Sequence, residues 1–560
     1  MKRCPECRRD YYDDTLLYCL EDGVALVQGA VPSPDEPATQ ILHETEAPAE
    51  AVTRAHVNRT EQTAVLPSGV ANVSKSKGFD SRLVASSFVL AILVFAGFLG
   101  YRYLNGSENG QIRSIAVLPF ENRSGDPDSE YLSDGLPETL IYRLSQLPNL
   151  KVSPVSSVVR YKGKDTDIGV ISSELDVDAV MSGRLVQRGE NLTISVDLID
   201  AKTRKLIWGE QYERKLSELL ATQRDIATEI AQKLELKLSG ADEQKLVKKY
   251  TESDEAYQLY LRGRYHLAKR TKEDHQKALD YFRKAIKLDA GFAQVYVGIS
   301  YLYFTGKRLG LKDENSELQS SALKAVELDP DLAEAQTALS IARLQEWKWV
   351  EAEQAGRKAI QLDPKSAEAH YFLGLLLGRI GRFDEALDQI KKAVELEPMS
   401  LIMNANLAGA YMDVGQNDLA LIQARKTYDL DRNFASGRVW LINAYTRNKM
   451  YDEAVKLYEE AGKQEIDSLV MGRVYAAMGR RAEAEAIIEK VREEGFEAAQ
   501  YWSARVYANL GEKDKAIAEL EKAVAAKSDE APRMRTDPEF AVLRGDPRFD
   551  DLVKQMKLPD

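Results

Sequence analysis

The chain has 560 residues, which is too many for one compact core, so we expect several domains. Its formal net charge of −12 disfavours a protein built to coat nucleic acid, whose surface would be basic, and no nucleic acid is expected as a partner. Only three cysteines occur, all before residue 20, which excludes a disulfide framework for almost the whole chain.

Residues 1–27 carry these cysteines in a pattern typical of a zinc site. Cys4 and Cys7 form one Cys-x-x-Cys knuckle, and Cys19 with Asp22 forms a second pair at the same spacing. Two such pairs can hold one tetrahedral Zn²⁺ ion. The segment resembles the zinc ribbons that open many bacterial membrane proteins, which implies a structural zinc ion, although Asp22 departs from the family's pattern. The alternative is a reduced, metal-free leader.

Two different stretches separate this segment from the rest of the chain. Residues 28–80 are rich in Pro, Ala, Glu, Thr and Ser without apolar periodicity, which predicts a disordered linker. Residues 81–104 contain an uncharged apolar run from Leu83 to Tyr101. As a helix, that run would reach about 28 Å, close to the hydrocarbon thickness of a bilayer. One transmembrane helix is therefore predicted.

The residues that flank this helix indicate its orientation. Lys75, Lys77 and Arg82 precede it, whereas Arg102 and Arg113 follow it, so the basic excess slightly favours a cytoplasmic amino terminus. Thiolates that hold zinc also suit a reducing compartment. We therefore expect a single-pass protein of the bacterial inner membrane whose remaining domains are periplasmic or otherwise extracytoplasmic.

Residues 111–240 change from helical to mixed periodicity. Leu192, Ile194, Val196 and Leu198 alternate with polar residues, as in a half-buried strand. Further strands are predicted near 114–120, 150–155, 178–186 and 206–212, and helices near 131–147, 167–175 and 216–238.

This order resembles the amino-terminal domain of the translocation protein TolB. The matching residues are Ile115 to Phe120, Asp134-Gly135, Gly183 to Leu185 and Trp208. The resemblance implies a small α/β domain that makes protein contacts and is not known for catalysis.

Residues 253–528 repeat one helix-turn-helix pattern. In the clearest copy Gly374 faces Ala386, and these small residues allow the two helix backbones to approach closely, while Gly381 and Pro398 end the helices. The pattern resembles the tetratricopeptide repeat (TPR) of about 34 residues, which implies an α-solenoid that binds other proteins or peptides. Eight helix pairs are predicted, starting near Ala256, Ala293, Ala333, Ala367, Leu401, Ala435, Glu465 and Glu497.

The first helices of TPR pairs line the concave face of the solenoid, and this register predicts a partner-binding groove. Aromatic rings beside guanidinium groups could hold an extended peptide or its terminal carboxylate. The alternative is an ordinary polar inner surface. The candidate residues are Trp440, Asn443, Arg447, Arg473, Tyr501, Trp502 and Arg505.

The last stretch, residues 529–560, is predicted to cap the solenoid. A solenoid needs a cap because its last repeat would otherwise expose an apolar surface. The apolar face of the cap would consist of Phe540, Leu543, Phe549, Leu552 and Met556.

The sequence contains no phosphate-binding Gly-rich loop, nucleophile elbow or His-Glu-x-x-His helix, so no catalytic residue is predicted. The domain order resembles the non-catalytic parts of bacterial membrane-anchored kinases, cyclases and winged-helix regulators. We therefore predict a multidomain, membrane-anchored scaffold that is not an enzyme and binds other proteins through its TPR solenoid. The alternative is a signalling receptor whose outer domains sense a ligand and whose zinc ribbon recruits a cytoplasmic effector or nucleic acid.

Overall fold

The computed structural model describes residues 112–147, 149–313, 316–462, 465–493 and 499–559, together with three two-residue strands near the amino terminus. These strands form one antiparallel sheet with the first strand in the middle: β1 (Lys2–Arg3), β2 (Asp10–Tyr11) and β3 (Val27–Gln28). They belong to a unit of residues 1–96, and residues 97–560 form a second unit.

Several predictions fall on residues that the structure does not describe. They are the four zinc ligands Cys4, Cys7, Cys19 and Asp22, the linker beyond residue 28, and the membrane helix of residues 81–104. Among the helices of the described ranges, none combines the length and the apolar character that crossing a membrane requires.

The second unit begins with a six-stranded mixed sheet. Its strands are β4 (Ser114–Val117), β5 (Glu121–Asn122), β6 (Lys151–Val152), β7 (Ala179–Arg188), β8 (Asn191–Asp200) and β9 (Leu206–Lys215). They run in the order β6-β4-β7-β8-β9, and β5 pairs with β7. Neighbours of β4 are parallel to it, whereas β7, β8 and β9 form an antiparallel meander.

Helices cover this sheet and continue toward the solenoid. Strand β4 is buried along its whole length, as expected for a parallel strand between two neighbours. The alternation predicted around Leu192 is confirmed, because alternate residues of β8 are buried. The helices are α1 (Glu130–Ser145), α2 (Val155–Val158), α3 (Ile168–Leu175), α4 (Leu219–Lys233) and α5 (Gly240–Val247). A small α/β domain before the solenoid is thereby confirmed.

Eight helix pairs follow, and each begins within two residues of its predicted start. Pairs 1 to 4 are α6 (Asp254–Ala268) with α7 (Lys272–Leu288), α8 (Ala293–Gly306) with α9 (Glu317–Leu328), α10 (Ala333–Gln345) with α11 (Trp349–Leu362), and α12 (Ala367–Arg379) with α13 (Phe383–Leu396). Pairs 5 to 8 are α14 (Leu401–Asp413) with α15 (Asn417–Leu430), α16 (Ala435–Arg447) with α17 (Tyr451–Glu460), α18 (Glu465–Ala477) with α19 (Arg481–Glu493), and α20 (Ala499–Asn509) with α21 (Lys513–Ala525).

The close approach predicted within pair 4 is confirmed. A Cβ atom placed on Gly374 would lie 2.6 Å from Cγ1 of Ile390 and 3.2 Å from the carbonyl oxygen of Ala386. One turn later, a Cβ atom on Gly378 would meet only the Cβ of Ala386, at 3.8 Å. The two glycines therefore share a helix and differ in the space around them.

We expect Gly374→Ala to destabilise the protein and Gly378→Ala to leave its stability unchanged or slightly higher. Overpacking costs about 1–3 kcal/mol, whereas alanine in place of glycine favours a helix by about 1 kcal/mol. Thermal unfolding of the full chain, followed by circular dichroism, should show a lower midpoint for Gly374→Ala alone. Equal midpoints for the two variants would contradict the packing described for this pair.

Candidate functional site

The predicted groove residues meet inside the C-terminal half of the solenoid. Arg473 lies on α18 and is 3% exposed, and Arg505 lies on α20 and is 7% exposed. Asn443 and Tyr501 are buried beside them, and Arg473 donates a hydrogen bond to Asn443 Oδ1. The structure thus places these side chains of successive first helices together, and their role in binding a partner stays a prediction.

These arginines bind the terminal segment of the same chain, residues 529–559. Arg473 Nη1 lies 2.6 Å from Glu539 Oε1. Arg505 donates two hydrogen bonds to the same carboxylate, from Nε to Oε2 at 3.0 Å and from Nη2 to Oε1 at 2.9 Å. Asp537 accepts from Arg505 at 3.1 Å and from the hydroxyl of Tyr501 at 2.9 Å. Two carboxylates thus neutralise two buried guanidinium groups.

The aromatic candidates complete this cluster. The ring of Trp502 faces both guanidinium groups, at 5.5 Å from Arg473 and 4.8 Å from Arg505. Trp440 packs its ring over Gly409 of the preceding pair, where a Cβ atom would lie 2.5 Å from the ring. Trp440 therefore serves helix packing, whereas Trp502 shields the charged cluster.

Electrostatics holds the cluster in its charged form. Burial opposes ionisation of Glu539, but the charges of Arg473 and Arg505 outweigh it, and Arg447 adds to them, so the pKa of Glu539 falls well below its usual range. Burial and the neighbouring Arg505 lower the pKa of Arg473 to about 10, which leaves this group charged at neutral pH.

The terminal segment continues along the solenoid from pair 8 toward pair 3. Arg533 Nη2 lies 2.6 Å from Asp413 Oδ2 of pair 5, and Trp349 Nε1 of pair 3 donates to the carbonyl oxygen of Met556 at 2.9 Å. Two 3₁₀ turns and α22 form it: Ala531–Arg535, Pro538–Leu543 and Pro547–Gln555.

The predicted apolar face of this segment is buried, since all five of its residues are at most 5% exposed. Burying one such side chain contributes about 1.5–3 kcal/mol. The prediction of a simple cap over the last repeat was too narrow, because the segment also fills the inner side of the preceding pairs. The groove predicted to bind a partner is therefore already occupied by the terminal segment of this chain. The overlooked signal was Asp537 and Glu539, two acids opposite the groove arginines.

The histidines of the repeats serve packing within the solenoid. His275 is fully buried, with Nε2 3.0 Å from the hydroxyl of Thr305. His370 bonds Gln389 through Nδ1 at 2.7 Å. In the part of the chain that the structure describes, no three His, Cys, Asp or Glu side chains group as metal ligands would.

The inner side of the solenoid remains open at its other end. A cavity of about 1280 Å³ lies between the α/β domain and the first helices of pairs 1 to 4, which are α6, α8, α10 and α12. We name it the interdomain cavity. On the domain side it is lined by residues of α1 and of the segment from Asn149 to Ser157.

Polar contacts fix the α/β domain above this cavity. Lys365, between α11 and α12, donates to the carbonyl oxygens of Leu147 at 2.7 Å and Ser145 at 3.2 Å. Gln146 donates to Asp363 at 3.1 Å, and Lys248 lies 2.7 Å from Asp329. The cavity walls are therefore tied together by hydrogen bonds and an ion pair.

Models of known families match four parts of the chain. Residues 111–232 match the second domain of the HilA/YgeH-like transcriptional regulators. Tetratricopeptide-repeat models match residues 267–292, 367–400 and 469–531. The helix pairs are therefore tetratricopeptide repeats. The TolB resemblance of the α/β domain stays a prediction.

One curated relative and two solved structures illustrate the similarity. A Rhizobium meliloti protein named "Putative adenylate cyclase 3" is 31% identical over 247 residues, which are 43% of this chain and 42% of that protein. The chain thus spans less than half of that relative. A Thermus thermophilus TPR protein is 21% identical over 34% of this chain and 99% of its own, with a TM-score of 0.30. A Parabacteroides merdae TPR protein is 18% identical over 47% and 98%, with a TM-score of 0.33.

We expect Glu539→Gln to destabilise the protein by about 3–5 kcal/mol, because it leaves two buried guanidinium groups with incomplete charge compensation. The matched control is Glu521→Gln, which changes an exposed carboxylate on α21 and should shift stability by less than about 0.5 kcal/mol. Urea unfolding of the full chain measures both.

The pH dependence of the free energy of unfolding tests the same prediction a second time. The depressed pKa of Glu539 means that its contribution is present above the unfolded pKa of about 4.3 and is lost as pH falls through the folded pKa. The variant should therefore lose less stability than the wild type on acidification below about pH 4.3. Parallel loss in the two proteins would show that Glu539 does not carry the cluster.

Proposed function

We propose that this chain is a non-catalytic scaffold that binds another protein in the interdomain cavity. Tetratricopeptide repeats are a protein-binding architecture, because stacked pairs expose an extended concave surface. The observation that carries the proposal is the unequal use of that surface. The terminal segment fills it beside pairs 5, 7 and 8 and also contacts pairs 3 and 4 at Trp349 and Ile380, whereas the first helices of pairs 1 to 4 line an open cavity facing the α/β domain.

The size and the walls of the cavity support a protein ligand. About 1280 Å³ exceeds the roughly 300–1,000 Å³ of ordinary small-molecule pockets. Its floor includes half-buried and exposed side chains of four successive helices, so an extended segment could contact several repeats at once. The groove around Arg473 would instead require a partner to replace the terminal segment and its buried apolar residues.

We further propose the cellular setting that the sequence predicts. If residues 81–104 form the predicted apolar helix, this helix would anchor the chain in the bacterial inner membrane with a cytoplasmic amino terminus. A structural Zn²⁺ ion would be held by Cys4, Cys7, Cys19 and Asp22. In this setting the α/β domain and the solenoid are extracytoplasmic.

The similarities favour a role in signalling assemblies. The α/β domain matches a domain of transcriptional regulators, and the curated relative is named as a cyclase. The chain covers 42% of that relative, so the shared part is proposed to serve protein contacts rather than the named activity.

Site-specific photo-crosslinking in cells tests the scaffold proposal. We expect a photoreactive amino acid at Ala268, an exposed residue that lines the interdomain cavity, to form a covalent adduct with another protein. Mass spectrometry of the adduct identifies that protein.

The control position is Leu419 on α15, a second helix, where the side chain is 46% exposed. It should form no such adduct. Adducts from Leu419 alone would move the binding surface to the outer helices and contradict the proposal, and so would the lack of any adduct from Ala268.

A further inference from the structure

The interdomain cavity carries more negative than positive charge. Eight carboxyl groups line it against five basic side chains, and four of the eight belong to Glu138, Glu334, Glu368 and Glu397. Glu138 forms an ion pair with Arg264 across the cavity wall. The other three form no ion pair with any residue that the structure describes.

Burial makes these three carboxylates costly to ionise. It raises the pKa of Glu334 to about 7, and one oxygen of that carboxyl group, Oε2, is buried without a hydrogen-bond partner. Burial, together with the charge of Glu368, raises the pKa of Glu397 to about 7. Burial raises the pKa of Glu368 as well, although its side chain is exposed to the cavity and is better screened by water.

The cations around the cavity compensate only part of this charge. Lys365 is engaged by backbone carbonyl groups, and Lys151 pairs with Asp176 at 3.0 Å. Arg270 lies close enough to Glu368 to lower its pKa. Since eight carboxyl groups and five basic side chains line the cavity, three carboxyl groups are in formal excess.

Aromatic side chains stand beside these carboxylates. Tyr301 and Phe372 meet edge to face with their ring centres 6.3 Å apart, and both line the cavity. Two cations already lie over the ring of Tyr250, with Lys248 Nζ 5.4 Å and Arg143 Cζ 5.5 Å from the ring centre. Aromatic faces next to carboxylates suit ammonium and guanidinium groups, which gain from both.

We propose that the interdomain cavity binds an extended basic segment of a partner protein, with lysine or arginine side chains placed against Glu334, Glu368 and Glu397. This inference rests on the proposed scaffold function and names the chemistry of its partner. The net charge of −12 acts in the same direction, because it attracts a basic partner at long range.

Peptide binding to the purified full chain tests this inference. The probe is a fluorescein-labelled nine-residue peptide of alternating glycine and lysine, followed by fluorescence anisotropy. We expect saturable binding that Glu368→Gln weakens about tenfold, which corresponds to about 1.4 kcal/mol. Acetylation of the lysines should abolish binding, because it removes their charge.

Two variants separate the cavity from the general charge of the surface. Glu351→Gln removes an exposed carboxylate on α11 outside the cavity and should leave the affinity unchanged. Glu334→Gln removes a carboxyl group that burial already disfavours in its charged form, so the fold should persist while the affinity falls. The thermal midpoint of each variant confirms folding.

Three results would overturn the inference. The first is no binding of the lysine peptide, and the second is an equal loss of affinity in Glu351→Gln and Glu368→Gln. The third is displacement of the peptide by spermidine when the spermidine concentration equals that of the peptide's lysine side chains. The last result would assign the cavity to small polyamines. A crosslinked partner whose adduct maps to a non-basic segment would leave the scaffold standing and remove only the basic specificity. The scaffold proposal and the inference of a basic partner can therefore fail independently, and the experiments distinguish the two outcomes.

Discussion

Two buried guanidinium groups decide how the C-terminal half of the solenoid is organised. A buried charge without a partner costs several kcal/mol, so Arg473 and Arg505 require carboxylates within reach. Asp537 and Glu539 supply them from one short turn. Because Phe540 follows directly and is fully buried, the position that satisfies the charges also buries the apolar face of the terminal segment. Charge pairing and apolar burial therefore select the same placement.

This placement divides the inner surface of the solenoid between two uses. Where the terminal segment lies, the buried guanidinium groups have carboxylate partners and apolar side chains are packed, so that part contributes stability. Under the α/β domain the reverse holds, because Glu334, Glu368 and Glu397 share a cavity without ion-pair partners among the described residues. Uncompensated charge in a cavity is characteristic of a binding surface rather than of a core. Stability is therefore concentrated where the terminal segment docks, and the proposed recognition surface lies under the α/β domain.

The sequence predicted best what depends on local periodicity. Helix pairs and the alternation around Leu192 follow from neighbours within a few residues, and both were confirmed. The repeat register of the first helices also predicted that Arg473, Tyr501 and Arg505 share one groove. Their partner could not be read in the same way, because Glu539 lies 66 residues from Arg473 and its docking depends on the superhelix being formed. The interdomain cavity was missed for the same reason, since its two walls come from α1 and from pairs 1 to 4.

Hydrogen exchange of the intact protein, read at the amides of Phe540 to Leu543, tests the central claim most directly. If the terminal segment is part of the solenoid's core, these amides exchange as slowly as those in the middle of α21, around Leu520, because both then open only when the C-terminal pairs unfold. Exchange at the rate of a solvated chain, with α21 still protected, would show that the segment leaves the groove on its own. The arginine groove would then be available to partners, which contradicts the division of the inner surface.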